Sequence, residues 1–362
     1  MCHEMLVLDS IFPSEFSLFR YIEFMDMLDC IPGTIVASTN YEAIDFHKKH
    51  RKKHWDKICY LDFDKKIECK LVYAGVFLSL FLDGGLKKYI EDVLKTKFVM
   101  TLYPGGGMAI GSREYVNRLN LVFNSPYFEG VVITQKPIYE YIVNNCECNV
   151  DKIHYVYGGI LPNLVLKKEK KWYGINKASL DIAFVAYNYP YAIKSKGYDI
   201  FVDVARKLVK KYGNIKFHVV GGFDDKTIDI SEIEESIFFY GQYNMDDFEE
   251  FFANIDIVLS PTKSPLGHEG FPTGGVAIGG MLGSVAFTSD VYAMNHIYVD
   301  GEEMVIIKND VDFIYDKIEY YYNNPEKLYD ISVRGSKKFN DVFNLKSQMK
   351  HRIEMCNTIL NM

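Results

Sequence analysis

The chain has 362 residues, 48% hydrophobic and 25% charged, which suits a globular protein with sizeable cores and a length that fits two α/β domains better than one. A formal net charge of -7 excludes the overall basic field of a nucleic-acid binder. No run approaches the roughly 20 apolar residues of a membrane span, and the start, with Glu4, Asp9 and no basic segment, does not read as a signal peptide.

The first half alternates short apolar runs with helical stretches. Residues 5–9, 34–37, 58–63, 98–102, 130–134 and 153–157 read as strands by length and by branched or aromatic content. Between them, 14–28, 41–52, 76–93, 114–124 and 137–145 read as helices, and this alternation implies parallel βαβ units. The run HKKHRKKHWDK (47–57) is strongly basic; it is read as a solvated helix face, with an anionic membrane surface or an acidic lipid-linked substrate as the alternative. Asp62-Phe63-Asp64 is read as a strand-end turn. Gly105, Gly106 and Gly107 directly follow a strand, so their backbone is a candidate for close approach to a ligand. Seven cysteines form no disulfide framework, which favours a reducing compartment, and Cys146 and Cys148 lack a second pair at zinc spacing.

Residues 157–179 carry turn signals and then a lysine-rich polar stretch, read as the connection between domains. The alternation then restarts. Strands are expected over 180–186, 215–220, 237–240, 255–259, 285–288 and 304–307, with helices over 198–212 and 245–253, Asn244 being an N-cap for the second. The tail, 311–361, reads as helical, punctuated by Asn323-Asn324-Pro325. The stretch 258–285 is the most informative. A strand enters a loop with Pro261, Pro265, Gly267, His268, Glu269, Gly270 and Pro272, and a small-residue helix begins near Thr273 or Gly274. Free backbone N–H groups at a helix start attract anions, and such a junction at the C-terminal edge of a parallel sheet is where doubly wound folds hold ligands. A tight turn in a packed helix is the competing explanation.

Five pieces in order carry a resemblance: FVAYNYPYAIKSKGYDIF (184–201), FHVVGGF (217–223), FFYGQ (238–242), IDIVLSPT (255–262) and HEGFPTGG (268–275). Together they resemble the C-terminal domain of GT-B-fold glycosyltransferases, most closely glycosyltransferase family 4, over roughly residues 150–345. The implied fold is α/β, two Rossmann-like doubly wound domains facing a cleft: an acceptor-side domain over 1–165, a nucleotide-sugar domain over 166–345, and a C-terminal helix over 346–362 packing back on the first.

The resemblance implies transfer of a sugar from a nucleotide-diphospho-sugar to a glycan or lipid-linked acceptor, with retention of configuration and without a metal or other cofactor. The setting it implies is the cytoplasm or the inner membrane face, with peripheral membrane association. Lys196 beside Gly197 would meet the diphosphate, and Gly274 and Gly275 would offer backbone N–H groups to it. Glu269 would accept hydrogen bonds from the donor sugar. His268, Gly270, Phe271 and Thr273 complete that loop, while Gly221, Asp290 and Asn295 mark neighbouring loops. Asp290 and Asn295 read equally as a turn and a helix cap.

Two departures stand out. Relatives carry a second glutamate, which holds the ribose, about eight residues after the first; here Ala277 and Ile278 occupy that region. An arginine expected near the Lys-Gly pair is replaced by Tyr187 or Asn188. Losing one charge-assisted hydrogen bond costs roughly 1.5–3 kcal/mol. A non-catalytic glycan- or partner-binding protein and a sugar-nucleotide epimerase are therefore the alternatives. A Rossmann-type oxidoreductase is disfavoured, because no Gly-x-Gly-x-x-Gly follows the first strand.

Overall fold

The computed structural model describes residues 2–15, 18–75, 77–105, 108–189, 192–224, 228–263 and 269–362. The chain divides into two compact units. The first comprises Met1–Pro162, Pro265–Gly270 and Phe343–Met362; the second comprises Asn163–Ser264 and Phe271–Val342.

The first unit is built on strands β1 (His3–Asp9), β2 (Thr34–Ser38), β3 (Ile58–Tyr60), β4 (Cys69–Ala74), β5 (Phe98–Leu102), β6 (Phe128–Ile133) and β7 (Ile153–Tyr155). They form one parallel sheet in the order β3-β2-β1-β4-β5-β6-β7. Its helices are α1 (Leu18–Cys30), α2 (Tyr41–Lys49), α3 (Leu78–Leu82), α4 (Leu86–Lys88), α5 (Arg113–Phe123) and α6 (Lys136–Asn145). Both faces of the sheet are covered, which is why β1 reads as a continuous apolar run. Met5 and Val7 pack with Phe24 and Met27 of α1, whereas Leu6 and Leu8 belong to the core that includes Ile90, Leu119 and Ile138.

The second unit repeats the plan with β8 (Leu180–Val185), β9 (Ile215–Val220), β10 (Ile237–Phe239), β11 (Ile257–Ser260), β12 (Val285–Ser289) and β13 (Val305–Ile307). Their order is β10-β9-β8-β11-β12-β13, again parallel. The helices are α7 (Ala192–Lys196), α8 (Tyr198–Val209), α9 (Met245–Phe251), α10 (Gly274–Met281), α11 (Val311–Tyr322) and α12 (Pro325–Val342). Phe201, Val204 and Leu208 of α8 join Ile182, Phe184 and Phe217 of the sheet in one core. The last helix, α13 (Leu345–Leu360), returns to the first unit and packs on α1 and β4.

Several elements differ from the sequence expectation. β4 was not expected; its alternating CKLVYA is short and follows a charged stretch. The helix expected over 76–93 is broken by Gly84-Gly85 into α3 and α4, with π-type hydrogen bonding over Tyr89–Leu94. The strand expected over 58–63 stops at Tyr60, because Asp62 and Asp64 turn the chain: the Asp64 N–H donates to the Asp62 carboxylate at 3.0 Å.

Candidate functional site

β8 and β11 are hydrogen-bonded neighbours although β9 and β10 separate them in sequence, so the strand order reverses between them. Loops leaving two such strands run to opposite faces of the sheet and open a crevice at their C-terminal ends. The pieces that follow β8 and β11 end at that reversal, whereas FFYGQ follows the edge strand β10.

The loop after β8 is pinned to the one after β9. Gly221 has a φ of +117°, and a methyl there would sit 1.6 Å from the Ala186 carbonyl oxygen, so only glycine fits. Asn188 donates its backbone N–H to the Gly221 carbonyl at 2.9 Å and its side-chain amide to the Gly222 carbonyl at 3.0 Å. Asn188, at the place of the expected arginine, is thus spent on holding this turn.

Lys196 ends the short helix α7, and Gly197, with φ of +77°, is the N-cap residue of α8, so the Lys-Gly pair stands at a helix start. A methyl on Gly197 would lie 2.1 Å from the Pro261 carbonyl oxygen, so the α7–α8 junction presses against the loop after β11. Lys263 fastens the same contact. Its N–H donates to the Ser195 carbonyl at 2.9 Å, and its ammonium meets the Asp199 carboxylate at 2.8 Å. Sequence reasoning overlooked the Lys263–Asp199 pair, because neither residue belongs to a motif. Lys196 is half-buried, its ammonium 5.6 Å from the centre of the Tyr189 ring, whereas Lys194 is exposed.

α10 begins beside this contact. The Ser260 hydroxyl at the end of β11 lies 3.1 Å from that of Thr262 and 3.5 Å from that of Thr273. Thr273 is the N-cap residue but gives no side-chain hydrogen bond to the helix. Among the described residues, the first N–H groups of α10 therefore receive no capping bond from the Thr273 side chain. Gly274 meets no atom of the described residues within 4 Å of a methyl built on it. Gly275 is the opposite case: its methyl would meet the Val185 carbonyl oxygen at 2.4 Å, so glycine lets α10 lie directly on β8. Ala277 and Ile278 are buried, so this turn of the helix presents core side chains and no carboxylate.

Asp290 and Asn295 organise their own loop. Asp290 accepts N–H bonds from Met294 at 2.6 Å and Asn295 at 3.1 Å, and Asn295 bonds Tyr298 through both ends of its amide. Phe271 is buried, 4% exposed, and precedes Pro272 through a cis bond.

Glu269 and Gly270 cluster with the first unit, where a methyl on Gly270 would meet the Gln135 amide at 3.3 Å. Gly105 follows β5 with φ of +104° and accepts the Met108 N–H at 3.2 Å. His268, Gly106 and Gly107 lie outside the described residues.

The first unit also gathers charge that sequence reasoning passed over. Fully buried Glu23 accepts hydrogen bonds from Tyr73 and Tyr103 at 2.5 Å each and from Thr101 at 3.2 Å. Arg352 of α13 lies 3.0 Å from the same carboxylate, an ion pair by distance whose Nε–H points off the hydrogen-bond axis. Arg20 pairs with Asp9 at 3.0 Å. The legible signal was charge set within otherwise apolar helices.

Two open parallel sheets of this order in one chain make the GT-B fold. Residues 174–338 match the family described as glycosyl transferases group 1. The chain also resembles a glycosyltransferase from Rickettsia africae ESF-5, at 12% identity over 99% of both chains and a TM-score of 0.73. A second similar structure is HepE of Anabaena in complex with UDP, at 12% identity, 98% of this chain, 100% of that one and a TM-score of 0.70. A third is sucrose-phosphate synthase from Thermosynechococcus elongatus, at 10% identity, 99% and 100% coverage and a TM-score of 0.67. No curated protein matches the chain. The second unit thus carries a glycosyl transferases group 1 domain, and the protein is a glycosyltransferase. Among the described residues no helix is long and apolar enough to cross a membrane.

Proposed function

We propose that the enzyme takes its sugar from a nucleotide-diphospho-sugar, most simply a UDP-sugar, and passes it to a glycan or lipid-linked acceptor with retention of configuration. The observation that carries this reading is the N-terminus of α10 at the sheet reversal, where Thr273 gives no side-chain cap, no described atom crowds Gly274, and Gly197 lies against the preceding loop. When the bond from the anomeric carbon to the diphosphate breaks, the electron pair leaves with the phosphate oxygen. Backbone N–H groups of Gly274 and Gly275 and the Lys196 ammonium would stabilise that charge, helped by the positive end of the helix dipole. These groups neutralise the leaving diphosphate without requiring a metal. Glu269, four residues ahead of Thr273, would accept hydroxyl hydrogen bonds from the donor sugar.

We further propose a cytoplasmic setting with peripheral attachment to an anionic membrane face. The seven free cysteines favour a reducing compartment. Exposed Phe46 and Trp55 belong to the same stretch as exposed Lys49 and Arg51, a basic and aromatic segment of the kind that anionic lipids attract, although its Lys53 pairs with Asp29 at 2.6 Å. Sedimentation with phosphatidylserine vesicles, absent with phosphatidylcholine, is the expected behaviour.

The donor test is calorimetric titration with UDP, GDP, dTDP and CMP, followed by NMR of the anomeric configuration formed from the bound donor class. Lys196→Ala and Glu269→Ala are expected to remove most turnover while the thermal midpoint holds. Removing one such charge-stabilising donor typically costs about 10²–10³ in rate. Wild-type turnover in both variants would sink the site assignment, and silence towards every nucleoside diphosphate would sink the donor.

A further inference from the structure

The second unit has another concave site, set towards the N-terminal ends of β8 and β9 rather than at the reversal. Lys177, Ser179, Asp181, Lys216, His218, Phe238, Tyr240 and Asn254 line a cavity of about 330 Å³ there. Ligand pockets run from about 300 to 1,000 Å³, so this one is small but sufficient.

Its floor is a relay of hydrogen bonds. His218 donates from Nε2 to Asp181 at 2.7 Å, and its Nδ1 then accepts the Tyr240 hydroxyl at 2.9 Å. Ser179 donates to the other Asp181 oxygen at 2.7 Å. Lys177 meets that same oxygen at 2.8 Å and Asp256 at 2.6 Å. Two carboxylates thus share the single Lys177 ammonium, so the floor carries no surplus positive charge that would ask for an anion. Burial, and then the nearby Asp181 charge, raise the Tyr240 phenol above its ordinary value. It stays neutral, unsuited to act as a base but able to accept a hydrogen bond from a ligand.

The rim has a different character. Phe238 and Tyr240 lie two residues apart on and just beyond the edge strand β10, 39% and 37% exposed, with the His218 ring stacked between them at 5.6 and 5.8 Å. The side chains of Asn254 and Lys216 are exposed at the same mouth. Exposed aromatic rings beside hydroxyl, amide and carboxylate groups match one ligand chemistry. The C–H face of a pyranose packs on the rings, while its hydroxyls reach the Tyr240 oxygen and the Asn254 amide at the mouth.

We propose that this hollow is a saccharide-binding site distinct from the donor loops, holding a sugar unit of a glycan on Phe238 and Tyr240. It does not rest on the donor reading, since β8, β9 and β10 present it whatever α10 binds. Its place on a glycosyltransferase suits retention of a glycan chain between transfers.

Saturation-transfer NMR of the full-length protein with glucose, N-acetylglucosamine and glucuronate tests it, run with and without UDP. At least one sugar is expected to give a signal that persists with UDP present and weakens about tenfold or more in affinity in Phe238→Ala. Tyr240→Phe and the surface change Lys216→Ala guard against a folding defect, and at least one of them is expected to weaken the same signal. No signal from any sugar, or a signal indifferent to all three variants, overturns the proposal. Displacement of the sugars by inorganic phosphate alone also overturns it, since the site would then be an anion site.

Discussion

Asp181 shows how one residue sets both a site and a pH dependence. Burial pushes its carboxyl up, but hydrogen bonds from His218, Lys177 and Ser179 outweigh burial and hold it at about 2. In an unfolded chain the same group titrates near the ordinary value of about 3.9. A depressed folded value means that the unfolded state binds the proton first. The stabilisation is therefore complete above about pH 4 and is lost as pH falls towards 2, with a size of about 2 kcal/mol. Urea unfolding of wild type and Asp181→Asn across that range is expected to show a gap that is widest above pH 4 and closes towards pH 2. A gap independent of pH would mean that the network does not depend on the carboxylate charge. Asp256, whose carboxyl burial pushes up, is present in both proteins and shares the Lys177 ammonium with Asp181, so its response is part of the measured gap. The pair was readable in principle. LDIAFV and IKFHVV place Asp181, Lys216 and His218 on one alternate face of neighbouring strands, but alternation locates a face without saying that the polar side chains meet.

At the scale of elements, α10 carries the sharpest contrast. Gly274 and Gly275 are adjacent in a single turn, yet no described atom crowds the first and the second faces the Val185 carbonyl oxygen. Gly274→Ala should leave the fold intact or stabilise it by up to about 1 kcal/mol, because alanine loses less backbone entropy in a helix. Gly275→Ala should destabilise by roughly 1–3 kcal/mol, the usual cost of overpacking. Denaturant midpoints for the two proteins settle the direction; equal shifts would show that α10 does not lie on β8 as described. The start of this helix was legible because strand, glycine-rich loop and small-residue run follow one another without a break. α7 was not legible: AIKSK spans barely one turn, has no apolar period, and is held in place by Lys263 and Pro261 from a distant part of the chain. β4 escaped for a related reason. Its six residues are specified by pairing with β1 and β5 more than by their own composition.

For the molecule as a whole, the informative feature is where α13 packs. Local pattern yields the βαβ alternation of each unit, but it does not say which sheet a terminal helix covers. α13 supplies Met349, Met355 and Cys356 to the core of the first unit, 190 residues or more after the last strand of that sheet begins at Ile153. It also delivers Arg352, fully buried, to Glu23 of α1. Two effects of different size can be separated here. Arg352→Leu keeps the apolar cover but leaves the Glu23 carboxylate without its cation, which for a buried pair costs roughly 3–5 kcal/mol. Removal of residues 343–362 strips the cover as well, exposing Val7, Tyr73 and Val132 on that face. Calorimetry of the truncated protein is expected to show the transition of the first unit lowered far more than in Arg352→Leu. The second unit, whose core takes no residue from α13, should keep its own transition in both proteins. If truncation and Arg352→Leu shifted the first unit equally, the helix would matter for its one charge and hardly for its packing. If the second unit fell in step, the two cores would form one cooperative system, not two.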